Sequence, residues 1–196
     1  MNHRRMIIAL LPLAAAACSD DDPSNGDPGG LSTALTGVYE IDAWTLNDMG
    51  CDTEGPSILA TEDDGSFYVN TFTFFGVTAL QAATCVDVET CAAEAAEESI
   101  NLGGFAFEEG SDASGWTESG YVLSSSGGGP CSGQVFTYEL TAPSPGTVAL
   151  TRRSTLVNDV PRGADDFCDE EAAEAMAASQ PCDQLEVVTG SFVQDI

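Results

Sequence analysis

Alternating apolar and polar residues run through most of the chain from Leu35 onward. This period of two predicts β-strands, because successive side chains of a strand point to opposite faces. The clearest stretch is 67–77, FYVNTFTFFGV, which is rich in aromatic and β-branched residues. The pattern predicts eight strands, at 36–46, 57–61, 67–77, 104–109, 116–124, 134–141, 147–157 and 185–193.

Two segments that are rich in Ala and Glu interrupt this alternation. Asp87 is placed to cap a helix that runs to about Glu98, and Asp169 is placed to cap a second helix before Pro181. Eight strands in mostly adjacent order, with short turns, predict a mainly β fold. We expect an antiparallel barrel or a two-sheet sandwich, with two short helices, in a single domain over 35–196.

The first eighteen residues follow a different pattern. Arg4 and Arg5 precede a twelve-residue apolar run, which ends in small residues and then Cys18. A run of this length is too short to span a bilayer and is typical of an export signal. The sequence resembles the lipobox signal of bacterial lipoproteins, with Ala15 where Leu is commonest. The resemblance implies that residues 1–17 are removed and that Cys18 is acylated. Plain cleavage before Cys18 is the alternative.

Residues 18–34 are acidic and rich in Gly, Pro and Ser, with almost nothing to bury. This composition predicts a disordered tether with a root-mean-square reach of roughly 20–25 Å. In the lipoproteins that this start resembles, a Ser such as Ser19 after the cysteine favours the outer membrane. We therefore expect an exported domain that is attached to a membrane through its lipid.

The mature chain is strongly acidic. It retains all 32 acidic residues but only three of the five basic ones, and its net charge is therefore −29. Such a field repels nucleic acid and anionic membranes, so neither is an expected partner. The acidity suits a solubilising surface, or a surface that collects divalent cations.

The chain contains no Lys, and its single His, His3, lies in the signal. This absence removes nucleophile–histidine pairs, His-ligated zinc and Schiff-base lysines. We therefore expect a non-catalytic protein, and a hydrolase that works with carboxylates remains the alternative.

Setting Cys18 aside leaves six cysteines, an even number that indicates disulfides in an exported chain. Six cysteines allow 15 connectivities. Cys168 and Cys182 bracket the second predicted helix, and a bridge closing a loop of about 15 residues contributes about 3 kcal/mol. The expected pairs are Cys168–Cys182, Cys85–Cys91 and Cys51–Cys131.

Arg152 is the most informative charge, because strand alternation puts it on the apolar face of the strand 147–157. Three roles are open for it: neutralisation by a carboxylate near a barrel rim, a cation–π contact, or binding of the acid group of a small ligand. Gly37-Val38-Tyr39 loosely resembles the G-x-W motif of lipocalin-like barrels, with Tyr in place of Trp. That resemblance implies packing of a late-strand Arg over a first-strand aromatic, here Tyr39 or Trp44.

A run of acids, Glu62-Asp63-Asp64, offers the oxygen ligands that calcium prefers. It does not fit the twelve-residue EF-hand loop, so the hypothesis is a weak calcium site at Asp63 and Asp64, and no other cofactor is expected. The overall expectation is a cell-envelope lipoprotein that acts as a binding or surface module for a small-molecule or protein ligand. The alternative is a structural or protective protein whose acidic coat is its function.

Overall fold

The computed structural model describes residues 34–58, 65–74, 77–97, 101, 104–107, 109–111, 114–125, 129–164 and 166–196. Over these residues the chain forms two helices and nine strands. The strands are β1 Gly37–Asn47, β2 Ser66–Phe74, β3 Val77–Cys85, β4 Phe105–Phe107, β5 Glu109–Ser111, β6 Gly115–Ser124, β7 Cys131–Ser144, β8 Thr147–Val160 and β9 Gln184–Gln194; the helices are α1 Val88–Ala95 and α2 Glu170–Ala178.

The strands form one antiparallel sheet in the order β4-β3-β2-β1-β9-β8-β7-β6-β5. The first strand pairs with the last, and the two ends of the sheet, β4 and β5, are separated by residue 108 alone. Two steps along the backbone span at most about 8 Å, so the chain itself holds the two sheet ends together. The sheet is therefore a nearly closed barrel, which confirms the predicted fold class.

Connections between the antiparallel strands alternate between two ends of the barrel. At one end the turns are short, at 75–76, 112–114 and 145–146, and both termini of the described chain also lie there. We call this the tether end. The opposite end, which we call the loop end, carries four connections, at 48–65, 86–104, 125–130 and 161–183.

Inward-facing side chains fill the barrel with an apolar core. The strand register aligns Trp116, Leu140, Leu150 and Val188 across four strands, so these residues share the inner face. They belong to one buried cluster with residues of β1–β4, including Tyr39, Ile41, Phe67, Val69, Leu80 and Phe107.

Each helix packs on the outside of the barrel. Asp87 caps α1 by accepting a hydrogen bond from the Thr90 N–H, and Asp169 caps α2 through the Ala172 N–H. Both predicted caps are confirmed. Buried residues of α1 contact Val38, Tyr68, Ala83 and Cys85, whereas Ala173 of α2 packs on Val135, Val157 and Val160.

The structure pairs Cys51 with Cys182, Cys85 with Cys91, and Cys131 with Cys168. The spacing identified the Cys85–Cys91 pair, but the expected Cys168–Cys182 and Cys51–Cys131 pairs are wrong. The reason is that β1 pairs with β9, and the bridge between Gly50 and Gln184 brings the connection after β1 beside Cys182. Proximity in the barrel therefore outweighs proximity in sequence.

Two strand predictions are also corrected. The predicted strand 67–77 ends at Phe74, and the pattern missed β3 altogether. That strand reads VTALQAATC, and its alanines lack the β-branched signal, although Ala79, Ala82 and Ala83 are all buried. In the predicted strand 57–61, Ser57 forms an isolated bridge to Thr45, and residues 59–61 lie outside the described part of the chain.

Candidate functional site

The barrel interior becomes polar toward the loop end. Tyr138, Arg152 and Glu186 lie side by side on β7, β8 and β9, two residues from the apolar row along each strand and nearer the loop end. Together with three neighbours they form a set that we call the Arg152 cluster. Its members are Trp44, Phe136, Tyr138, Arg152, Gln184 and Glu186.

Glu186 is the centre of this cluster. Its Oε2 lies 2.8 Å from Nη2 of Arg152, and its Oε1 accepts a 2.7 Å hydrogen bond from Nε1 of Trp44. The same Nη2 donates to Oε1 of Gln184 at 3.3 Å, and Nε2 of Gln184 donates to Oδ1 of Asp48 at 2.7 Å. These contacts tie β8, β9 and β1 together inside the barrel.

Arg152 is neutralised by a carboxylate, which is one of the three roles that the sequence left open. The expected cation–π contact exists, but its partner is wrong: the guanidinium carbon lies 5.7 Å from the centroid of the Phe136 ring. Trp44 instead donates a hydrogen bond to the carboxylate that pairs with Arg152. Tyr39 is not part of the cluster, since it stacks on Phe67 at 5.1 Å and donates its hydroxyl to the Leu35 carbonyl.

The pKa values of the two interior tyrosines, Tyr39 and Tyr138, are raised mainly by their burial. Burial raises the pKa of Tyr39 to about 12. Burial also raises the pKa of Tyr138, and the charge of Glu186 adds to this, whereas Arg152 acts in the opposite direction. Both phenols therefore remain protonated at neutral pH. Tyr39 donates its hydrogen bond to Leu35, and Tyr138 packs against the rings of Phe105 and Phe136.

A second candidate site, which we call the rim cleft, lies at the tether end. It has a volume of about 690 Å³ and is lined by Leu35, Tyr39, Val148 and Phe192 together with the β7–β8 turn. Phe192 meets Tyr39 edge-on at a centroid distance of 5.9 Å. Sequence reasoning missed this site, because its walls come from both chain termini and a turn in the middle of the chain.

The remaining expected sites cannot be placed. Cys18, Asp63 and Asp64 lie outside the described residues, so lipidation and calcium binding stay predictions. Within the described ranges, no three His, Cys, Asp or Glu side chains gather in a way that could hold a metal ion. No helix in the described part of the chain has the length and apolar character needed to cross a membrane.

Comparison with protein-family models, with curated proteins and with solved structures gives no match for this chain. The site therefore has to be interpreted from its own geometry. The Arg152 cluster has its main charges paired internally, whereas the rim cleft is an open, mixed apolar and polar surface.

Proposed function

We propose that the chain is an exported lipoprotein, anchored through Cys18 to the bacterial cell envelope, at the outer membrane. Its barrel is a non-catalytic binding or surface module. The membrane is its partner through the lipid anchor, and a small-molecule or protein ligand of the barrel would be an additional partner.

The pairing of the cysteines carries this proposal. The three disulfides use all six cysteines of the region 35–196, so Cys18 has no cysteine left in the chain to pair with. Disulfides persist in oxidising compartments outside the cytosol, which agrees with an export signal. A seventh cysteine at the end of that signal is then available for acylation.

The interior of the barrel supports a role without catalysis. Nη2 of Arg152 pairs with Glu186, and Glu186 in turn accepts a hydrogen bond from Trp44, so the two charges neutralise each other in the absence of a ligand. A mature chain without His and Lys lacks two of the commonest groups of acid–base and nucleophilic chemistry, which leaves its carboxylates for the alternative of a hydrolase.

The packed core is the observation that favours the second candidate, a structural or protective protein with an acidic coat. Large side chains such as Phe67, Leu80, Phe107 and Leu140 are fully buried in the barrel and occupy its centre. Under either candidate, the rim cleft is an open concavity whose volume falls within the usual range for ligand pockets.

The proposal is tested by feeding labelled palmitate to bacteria that express the full chain. We expect the wild-type protein to carry the label and to sediment with membranes, and the Cys18→Ser variant to lose both properties. A Cys85→Ala/Cys91→Ala double variant is the matched control and should keep its label. An unlabelled wild-type chain whose residue 18 reacts with a maleimide would instead indicate plain cleavage, and the proposal would be wrong.

A further inference from the structure

We infer that the tether end of the barrel rests on the lipid surface, with the rim cleft and its neighbouring apolar side chains in contact with zwitterionic lipid. The inference rests on the proposed anchor at Cys18. It adds a second membrane contact, made by the folded domain itself, and it fixes which end of the barrel points away from the membrane.

The position of Ala34 is the first observation. The described chain begins there, and Ala34 lines the rim cleft. Sixteen residues, 18–33, separate Ala34 from the lipid, and their composition predicts a root-mean-square reach of roughly 20–25 Å. The eleven residues of β1 run roughly 35 Å from the tether end to the loop end. The loop end is thus a strand length farther from Ala34, where the chain leads toward Cys18.

The distribution of acidic residues is the second observation. In the sequence, the loop-end connections 48–65, 86–104 and 161–183 hold six, five and seven acidic residues. The tether-end turns and the residues 34–36 and 195–196 hold only Asp112 and Asp195, and the segment 18–33 that joins this end adds four acids, Asp20, Asp21, Asp22 and Asp27. Ionised carboxylates lose hydration when they are pressed against lipid, so an acid-rich end stays in water, whereas an end with few acids can approach a zwitterionic membrane closely.

Apolar exposure at the tether end is the third observation. Phe192, Val193 and Ile196 keep 41%, 43% and 48% of their surface exposed. Met49, Val86 and Phe167 at the loop end are more exposed, but each lies in a connection that holds at least five acidic residues. The ring of Phe192 closes over Gly37, where an added Cβ would lie 2.6 Å from the ring. One side of the ring is thus held by the barrel while the rest remains available for contact with lipid.

Because the domain is tethered to the membrane, even a small apolar surface is sufficient for it to contact the lipid. A module on a short flexible linker experiences an effective concentration of its target in the millimolar range, so weak contacts become populated. An aromatic ring and two aliphatic side chains beside a Pro-containing turn are suited to the boundary between headgroups and acyl chains.

The test uses the full lipidated chain in vesicles of phosphatidylcholine that is brominated near the glycerol end of its acyl chains, since bromine quenches nearby tryptophan fluorescence. Phe192→Trp adds a probe at the tether end, and Phe167→Trp adds one at the loop end, where Phe167 is 73% exposed. We expect bromolipid to quench Phe192→Trp at least twofold more than the wild type, whose own tryptophans are Trp44 and Trp116. Phe167→Trp should show no added quenching.

Equal quenching of both variants, or quenching of Phe167→Trp alone, would overturn the inference and leave the anchor intact. A chain whose mass shows no acyl group at Cys18 would overturn both the anchor and the inference. Should Phe192→Trp fail to fold, Val193→Trp places the probe at the neighbouring exposed position, with the same expected result and the same contrary one.

Discussion

The two ends of the barrel are closed in opposite ways. At the tether end the strands are joined by turns of two or three residues, whereas three of the loop-end connections are 18, 19 and 23 residues long. Both helices lie in those long connections, and each of the three disulfides has at least one cysteine in them or at their edge. The acidic residues are also concentrated there.

The long connections, the disulfides and the acidic residues occur together at the loop end for one physical reason. Long connections lose more conformational entropy when they are ordered, and dense like charge adds repulsion. Disulfides constrain the unfolded chain and so offset that cost where it is largest. Short turns between well-paired strands need no such constraint.

Removing a disulfide should lower the free energy of unfolding by an amount that depends on the length of the loop it closes. The sequence separations are 131 for Cys51–Cys182, 37 for Cys131–Cys168 and 6 for Cys85–Cys91. The chain-entropy relation then predicts losses in the free energy of unfolding of about 5, 4 and 2 kcal/mol for the three paired-alanine variants. Urea unfolding measures them, and a reversed order would contradict the entropic explanation.

Glycine substitutions distinguish the tightly packed interior near the tether end from the roomier interior near the loop end. A Cβ at Gly190 would lie 2.5 Å from the Phe67 ring, whereas a Cβ at Gly120 would make an ordinary 3.6 Å contact with Tyr138. Gly190→Ala should therefore reduce the free energy of unfolding by about 1–3 kcal/mol through overpacking. Gly120→Ala is the matched control and should change it little. Equal effects on the urea midpoint would mean that the two halves are equally packed.

Arg152 and Arg153 are neighbours on β8, and they allow the stability contributed by an ion pair inside the barrel to be compared with that of an ion pair outside it. The Arg152–Glu186 pair is partly buried, with side-chain exposures of 30% and 16%, whereas Arg153–Glu139 is exposed at 45% and 36%. Arg152→Met leaves Glu186 without its cation and should cost about 1–2 kcal/mol, while Arg153→Met should cost at most about 0.5 kcal/mol. Identical melting curves for the two variants would show that the Arg152 cluster does not stabilise the barrel.

Alkaline pH should lower the stability of the folded barrel through Tyr39 at the tether end, and a change of pH near neutrality should have no such effect. The pKa of Tyr39 is about 12 in the folded barrel, against about 10 in an unfolded chain. Above pH 10 the unfolded chain therefore binds fewer protons than the folded one, and stability falls as the pH rises toward 12. The slope of stability against pH in that range should be shallower in Tyr39→Phe. An unchanged slope would mean that Tyr39 does not titrate as a buried phenol.

Local signals in the sequence were sufficient for the helix caps at Asp87 and Asp169 and for most strands, because each depends on residues a few positions apart. Strand number and order limited the fold to an antiparallel barrel or a two-sheet sandwich, and the pairing of β1 with β9 in one sheet distinguishes the barrel. The hydrogen bond from Trp44 to Glu186 could not be foreseen, since it joins residues 142 positions apart. A register shift between Ile41 and Ala43 brings Trp44 to the inner face, although strict alternation places it opposite Ile41.

Non-local pairing also explains the two wrong disulfides. Cys182 lies beside Cys51 because the first strand pairs with the last, which is a property of barrel closure rather than of spacing. The rim cleft depends on the same closure, since its walls join residue 34 to residue 195. Sequence patterns describe each strand well, but they do not determine which strands meet.

The proposal of a lipid anchor at Cys18 is tested by the intact mass of protein extracted from its own membrane, before and after treatment with a thiol-reactive reagent. We expect a chain that begins at Cys18, carries acyl groups there, and has its other six cysteines joined in three disulfides without a free thiol. A chain that begins at residue 18 without acyl groups and reacts once with the thiol reagent would contradict it.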